Sequence, residues 1–302
     1  MARHDYPATA LVATVIAWAA GAAWAAEAPL PSSPEPPAAP SVRIEPDRVR
    51  PGDAFLVTVL GAAAAPTASV ADRPLRFFPV AGGFQAVAAL PVEFEPGRLG
   101  VEVTVPGLAA PLRAEAEVLE PDFPEARLRV APRFVSPSPR QRKQMERDQE
   151  AFRKAFDQPF EPPLFGEAFS PPREAEVRSA FGERRVFNGK KQSQHYGTDL
   201  AGQVGDPVAA SNDGLVVLAR DCYASGKSLV LWHGAGLFTV YFHLSSFEAR
   251  PGDRVRRGQV VGRVGQSGRV TGPHLHFGTK LFDLYVAPES VYRLRFSAPV
   301  PP

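Results

Sequence analysis

With 302 residues the chain is long enough for two modest domains, and its 34 Lys and Arg against 32 Asp and Glu leave a formal net charge of only +2. This balance gives no indication of a nucleic-acid-binding face, which needs a dense cluster of Lys and Arg. The single cysteine, Cys222, excludes an internal disulfide and a metal site made of several thiolates, so any metal would be held by histidines and carboxylates.

The first 25 residues have the pattern of an export signal. Arg3 and His4 precede an alanine-rich apolar stretch, and residues 23–25 (Ala-Trp-Ala) form a small-x-small cleavage site. The alternative is an uncleaved membrane anchor, but the apolar stretch is slightly short for a span of about 20 residues. We therefore predict a signal peptide over residues 1–25 and no stable membrane span after its cleavage.

A proline-rich linker over residues 26–40 is followed by a change of pattern. Short strand-like runs such as 55–60 and 100–105 alternate with Pro and Gly turns, a spacing typical of a small β-sandwich. We predict an immunoglobulin-like β-sandwich over residues 41–120. It contains no chemical motif.

Residues 121–171 are predicted to be a linker with one helix, at residues 138–157. Met145, Phe152 and Phe156 fall on one helical face, and the remaining surface is charged. We interpret this as a solvated connecting helix packed lightly on a neighbour. A membrane-surface helix is the alternative, but its apolar face is too thin.

The region 172–296 is dense in strand signals, and residues 297–302 are predicted to be a tail. The strand-like runs are 215–219, 228–232, 238–243, 259–264 and 274–277. Gly, Asp-Gly and Pro-Gly turns separate them, which indicates an antiparallel sheet folded on itself.

Five of the six histidines lie in this region: His195, His233, His243, His274 and His276. Side chains alternate along a strand, so His274 and His276 are expected on one face, about 7 Å apart, with Leu275 and Phe277 in the core. The same alternation groups His243 with Thr239 and Tyr241, and we take theirs to be the polar face. We interpret His233 as a turn residue at a strand end.

His195 and Asp199 are separated by three residues, and Gly197 between them argues against a helix. A loop that runs into a strand would bring both side chains to one metal. The alternative is that each side chain only caps nearby backbone groups. Zinc accepts nitrogen and oxygen ligands, and a catalytic site keeps one position for water. Two histidines and one aspartate would satisfy one zinc ion, and two histidines would remain for proton transfer or oxyanion stabilisation.

Three separated motifs in this order resemble the lysostaphin-type (LytM-like) zinc endopeptidases, which hydrolyse peptidoglycan, over about residues 175–290. The motifs are His-x-x-x-Asp (195–199), Tyr-x-His-Leu (241–244) and Gly-Pro-His-Leu-His (272–276). The resemblance implies that zinc is held by His195, Asp199 and His276, and that His243 and His274 are catalytic. It also implies a mostly β architecture, with a duplicated-hybrid or barrel-sandwich-like peptidase domain at 172–296.

The function that follows is a secreted zinc metalloendopeptidase, periplasmic or bound to the cell wall, that cleaves peptide cross-links of peptidoglycan. We favour the direct D,D cross-link of stem peptides over a glycine bridge, because no wall-targeting repeat is visible. One alternative is a non-catalytic activator of other wall hydrolases. Others are a zinc protease of ordinary proteins and a lipoyl- or biotinyl-type carrier, although the turn at 265–269 lacks the lysine that a carrier requires.

Overall fold

The computed structural model describes residues 39–128, 137–187, 189, 191–298 and 300. The predicted signal peptide, His4 and nearly all of the linker 26–40 lie outside these residues, as does most of the tail beyond 298. Neither helix within the described part of the chain is both long and apolar enough to cross a membrane.

Two β-sheets form the first module of the described chain. Its strands are β1 Ser41–Glu45, β2 Arg48–Val49, β3 Ala54–Leu60, β4 Thr67–Val70, β5 Arg73–Pro74, β6 Phe78–Val80, β7 Gly83–Ala89, β8 Gly97–Thr104 and β9 Leu112–Val118. One sheet has the order β1-β3-β7-β6 and the other β2-β9-β8-β4-β5. Alternate residues of β3 and β8, such as Phe55, Val57, Val101 and Val103, meet in one core. The predicted mostly β class is confirmed, whereas the immunoglobulin-like assignment stays a prediction.

The outer face of the four-stranded sheet packs on the C-terminal region. Leu56 and Val87 lie in one buried cluster with Leu237, Leu281 and Val291. Polar contacts add to this apolar interface, for example Ala54 N donating to Ser290 Oγ at 2.9 Å. By contrast, the other sheet carries exposed cross-strand ion pairs, such as Arg98–Glu115 at 3.2 Å. The module is therefore fixed to its neighbour through the face that would otherwise expose apolar side chains.

Leu56 provides a test of this interface. The side chain is 1% exposed, so Leu56→Ala should lower the free energy of unfolding by about 2–5 kcal/mol. Urea unfolding, followed by tryptophan fluorescence and circular dichroism, should give one transition at lower urea. Leu108→Ala, at a loop position that is 38% exposed, is the control and should change stability little. An unchanged midpoint for Leu56→Ala would contradict the described interface.

A short strand and a helix connect the two regions. Strand β10, Glu125–Leu128, pairs in parallel with a strand of the C-terminal region. Helix α1 spans Pro139–Phe156 and begins with a capping box between Ser138 and Gln141. Asp148 on the helix is buried and accepts hydrogen bonds from Arg220 Nε at 3.0 Å and Tyr223 N at 2.8 Å. These contacts hold the helix more firmly than the light packing expected from its charged sequence.

Antiparallel strands build the C-terminal region. They are β11 Val177–Ser179, β12 Arg184–Phe187, β13 Lys191–Gln194, β14 Thr198–Ala201, β15 Pro207–Ala209, β16 Gly214–Cys222, β17 Gly226–Trp232, β18 Leu237–Phe247, β19 Arg254–Val255, β20 Val260–Val264, β21 His274–Leu281 and β22 Leu284–Val286, followed by helix α2 Pro288–Arg293. The large sheet has the order β11-β14-β21-β18-β17-β16-β19, and β20 joins β18 to β15. The predicted antiparallel sheet is confirmed.

The core of this region lies under β18 and β21. Leu275, Phe277 and Tyr241 are each 0% exposed, as the alternation of β21 predicts for the first two. The opposite face of the same two strands carries His276 and Phe242, which are register partners. Further along β18 this second face is also packed, at Phe238 and Val240.

Candidate metal centre

Neighbouring strands bring three predicted ligands together. Asp199 on β14 is the direct register partner of His276 on β21, and His195 lies just before β14. Asp199 Oδ1 is 2.9 Å from His276 Nδ1 and 3.1 Å from His195 Nε2, and the two ring nitrogens are 3.0 Å apart. Within the described part of the chain, these residues are the group of three His, Cys, Asp or Glu able to hold a metal ion.

The donor set of this group fits zinc. Tetrahedral coordination with bonds of about 2.0–2.1 Å separates ligand atoms by about 3.3 Å, close to the triangle observed. His195 Nδ1 lies 3.0 Å from the carbonyl oxygen of Ala180, which accepts its proton. In the neutral ring Nε2 therefore presents a lone pair to Asp199 Oδ1. Lone pairs converging at this distance repel each other unless a proton or a metal ion lies between them.

The second oxygen of Asp199 faces a guanidinium group. Arg185 Nη2 donates to Asp199 Oδ2 at 2.8 Å, so that Oδ1 alone faces the two histidines. Burial raises the pKa of Asp199, but its contacts with the His195 and His276 rings outweigh burial and hold this pKa well below the usual range. Sequence reasoning missed Arg185, because none of the three motifs includes it.

The backbone of His243 decides where its side chain points. Its φ is +65°, in the left-handed region. Regular alternation would have placed it with Thr239 and Tyr241, which are both 0% exposed and so belong to the core face. The prediction that this face is polar is wrong. The left-handed residue instead turns the His243 ring to within 4.9 Å of the His274 ring, between centroids.

Both of these histidines are oriented by backbone carbonyls. His243 Nδ1 donates to Ser267 O at 2.9 Å, and His274 Nδ1 donates to Gly272 O at 3.0 Å. In the neutral rings each Nε2 then has a free lone pair. Burial, followed by the electrostatic effect of His276, lowers the pKa of His243 to about 3. His274 Nε2 lies 3.8 Å from Asp199 Oδ1.

An aromatic stack supports the His276 ring. Phe242 lies parallel to His276, with ring centroids 5.2 Å apart and an interplanar angle of 6°. Behind Phe242, the Phe152 ring of α1 makes an edge contact at 5.6 Å. The helix therefore contributes indirectly to the position of a candidate ligand. The apolar face of α1 was visible in the sequence, but its contact with this site was not.

Gly197 leaves room for the same imidazole. A Cβ added there would lie 2.6 Å from His276 Cε1 and Nε2 and 2.7 Å from Phe277 O. Gly197→Ala should therefore displace His276 and weaken zinc binding by about 10–100-fold, the range seen when the groups that orient a ligand are disturbed. Competition with a chelating dye measures this change. Gly100→Ala is the control, because a Cβ there meets nothing within 4 Å, and equal zinc affinity of the two variants would contradict the steric argument.

His233 is not the turn residue predicted. It is 0% exposed, and its two ring nitrogens contact Asp213 O at 2.6 Å and Thr239 Oγ1 at 2.8 Å. Burial lowers its pKa to about 4, which keeps the ring neutral at neutral pH. The residue is therefore a satisfied core histidine. Sequence reasoning missed this because the burial comes from segments distant along the chain, including Phe169.

Comparison with known proteins adds a family signal to this geometry. Residues 193–288 match Peptidase family M23. The peptidoglycan DD-endopeptidase ShyA of Vibrio cholerae is 43% identical over 102 residues, which cover 33% of this chain and 24% of ShyA. The glycyl-glycine endopeptidase ALE-1 of Staphylococcus capitis is 44% identical over 85 residues, or 28% of this chain and 24% of ALE-1.

A solved structure extends the likeness beyond this domain. A crystal structure from Pseudomonas aeruginosa, described as a peptidase M23, is 27% identical with a TM-score of 0.61, and the match covers 80% of this chain and 94% of that one. The curated relatives are matched over only about a quarter of their own length. Their likeness therefore concerns about a third of this chain and leaves most of each relative unmatched.

Proposed function

The chain carries a peptidase M23 domain at residues 193–288, and from this premise we propose that it is an exported zinc endopeptidase that hydrolyses peptide cross-links of bacterial peptidoglycan. One observation carries the proposal. Three ligand atoms of His195, Asp199 and His276 converge within 2.9–3.1 Å of each other. The rings of His243 and His274 lie beside this triangle, with their Nε2 atoms available.

The proposed ligands are His195 Nε2, Asp199 Oδ1 and His276 Nδ1. A zinc ion bound there supplies a Lewis acid that lowers the pKa of a coordinated water toward about 7. With zinc bound, two neutral imidazoles and one carboxylate would leave the site with a net positive charge. Such a charge would favour attack of water on a peptide carbonyl. The backbone carbonyl of Ala180 and the guanidinium of Arg185 orient two of these ligands from outside.

We assign His274 as the general base. An imidazole that accepts a proton becomes charged, and Asp199 Oδ1 at 3.8 Å from His274 Nε2 stabilises that charge. His243 is then assigned to hydrogen bonding with the carbonyl oxygen as negative charge develops on it. Because its Nδ1 already donates to Ser267 O, this role requires a proton on Nε2 and therefore the charged form of the ring. The exchanged assignment, with His243 as the base, uses the same two nitrogens and is the alternative.

The substrate bond that we propose is the direct D,D cross-link between stem peptides. The name of the ShyA relative specifies a DD-endopeptidase, and that of ALE-1 a glycyl-glycine endopeptidase, at nearly equal identity. Identity therefore does not separate the two bonds. The proposed D,D bond rests on the name of ShyA, whose match covers more of this chain than the match of ALE-1 does, 102 against 85 residues.

Digestion of purified peptidoglycan by the full chain tests the proposal. Sacculi with direct cross-links and sacculi with glycine bridges are incubated with the protein, before and after removal of zinc by a chelator and again after zinc is restored. Mass spectrometry then follows the conversion of cross-linked dimers to monomers. We expect conversion of direct cross-links only when zinc is present.

Three results would argue against this function. Cleavage that persists without metal would remove zinc from the mechanism. Cleavage confined to glycine bridges would correct the bond. Zinc binding without any cleavage, together with stimulation of an added wall hydrolase, would favour the non-catalytic activator.

A further inference from the structure

Arg185 contacts the candidate metal centre from outside. Its Nη2 donates to Asp199 Oδ2 at 2.8 Å and to Ser179 Oγ at 2.7 Å, and its Nε donates to Glu183 Oε1 at 2.7 Å. Ser179 Oγ in turn lies 3.2 Å from His195 Nδ1. One guanidinium group is thus bonded to Asp199 and linked to His195 through a single hydroxyl.

The backbone that presents Arg185 is held on both edges. Strand β12 pairs with β13 on one side and with the linker strand β10 on the other, where Arg185 is the register partner of Ala126. The side chain is 22% exposed, and its Glu183 and Asp199 partners are 15% and 13% exposed. A side chain fixed at both its backbone and its three donor contacts has little freedom to move when Asp199 moves.

The geometry of the guanidinium matters as much as its charge. A planar fork directs Nε and Nη2 to different acceptors at fixed angles, whereas a lysine provides one compact, mobile ammonium. Without the donor at Oδ2, that half-buried oxygen loses its partner, and the carboxylate is free to rotate about its own axis. Rotation would remove Oδ1 from the triangle with the two histidines.

We propose that Arg185 is a positioning residue that fixes Asp199 for ligation through Oδ1 alone, and that the fixed carboxylate sets the zinc affinity of the site. This inference rests on the proposed zinc site. Arg185 acts only through Asp199 and Ser179, and its guanidinium group does not contact the reacting atoms. The linker strand β10 supports the same arrangement from its position beside β12.

Zinc affinity of the full-length chain tests the proposal. Competition with a chelating dye compares wild type with Arg185→Met, Arg185→Lys and the control Arg184→Met. Arg184 is the preceding residue and its side chain is exposed, so its replacement removes one positive charge at nearly the same place. We expect zinc binding to weaken about 10–100-fold in Arg185→Met, by less in Arg185→Lys, and within about twofold in the control.

Two further readouts separate positioning from simple loss of structure. The absorption spectrum of the cobalt-substituted protein reports coordination geometry, and it should change in Arg185→Met but not in Arg184→Met. Methylguanidinium added to Arg185→Ala should restore affinity, while methylammonium at the same concentration should not. This rescue keeps the proposal testable if Arg185→Met folds poorly.

Unchanged affinity and an unchanged cobalt spectrum in Arg185→Met would overturn the inference. So would an equal loss in both arginine variants, which would indicate a charge effect without geometry. If the wild-type chain binds zinc but cleaves no cross-links, only the proposed hydrolase function is contradicted. The role of Arg185 is tested separately, by zinc affinity and by the absorption spectrum of the cobalt-substituted protein. A wild-type chain that binds no zinc would overturn both.

Discussion

Asp199→Ala is expected to abolish both zinc retention and cross-link cleavage. The substitution removes the one anionic ligand of the triangle, whose Oδ1 lies 2.9 Å and 3.1 Å from the two histidine nitrogens. It also leaves the Arg185 guanidinium without its buried partner. Two neutral histidines then remain as ligands beside the Arg185 guanidinium, which keeps Glu183 as its counterion. A divalent cation has lost its one anionic ligand and binds poorly.

The size of the loss follows from what the metal supplies. Without a Lewis acid the reaction loses both the activated water and the polarised carbonyl, which should lower kcat/KM by at least about 1,000-fold, or about 4 kcal/mol of transition-state stabilisation. Metal analysis after dialysis gives the zinc stoichiometry, and mass spectrometry of digested sacculi gives the rate.

Asp221→Ala is the control for this experiment, because that carboxylate is 67% exposed at the end of β16. It should keep one zinc per chain and wild-type turnover. Zinc retained by Asp199→Ala at wild-type affinity would remove Asp199 from the ligand set, whatever the effect on cleavage.

His243→Ala and His274→Ala should separate turnover from metal binding. Neither ring belongs to the triangle, and each is held by its own carbonyl, Ser267 O or Gly272 O. Loss of a general base or of an oxyanion donor typically costs about 100–10,000-fold in rate, or about 3–5 kcal/mol. Zinc stoichiometry should stay near one in both variants.

The two variants also compare the proposed roles. The base variant should recover part of its rate in alkaline buffer, where hydroxide is available without proton transfer, whereas the variant that lacks the oxyanion donor should not. Recovery in His243→Ala instead of His274→Ala would exchange the assignment. Gln266→Ala, next to Ser267 and exposed, is the control and should behave as wild type.

Loss of zinc in either histidine variant would contradict the division of the site into three zinc ligands and two catalytic histidines. In that case the affected histidine would join the ligand set. A variant that retains both zinc and full activity would remove its histidine from the mechanism.

The fixed first module affects how its role can be tested. Leu56 and its neighbours bury an apolar face against Leu281 and Val291. A truncated chain that begins near residue 160 would expose this face, so a loss of activity on deletion would not separate a functional role from instability. Point variants in the full chain avoid that ambiguity.

The sequence by itself determined the strand content and the histidines worth examining. The period of two in 274–277 placed Leu275 and Phe277 in the core, because alternation is a local property of an extended chain. It also marked His195, Asp199, His243, His274 and His276 through their motifs. The helix predicted at 138–157 likewise followed from local periodicity, and α1 spans Pro139–Phe156.

Tertiary structure decided the contacts that depend on register and on distant segments. Pairing of β14 with β21 sets Asp199 opposite His276, which are 77 residues apart in sequence. A single left-handed residue reversed the face assigned to His243, since a φ of +65° interrupts the alternation on which that assignment rested. The contact of Arg185 with Asp199 and the contact of Phe242 with His276 likewise join segments that are distant in sequence. Sequence periodicity records which side of a strand a residue occupies, whereas only the assembled sheet determines what stands opposite it.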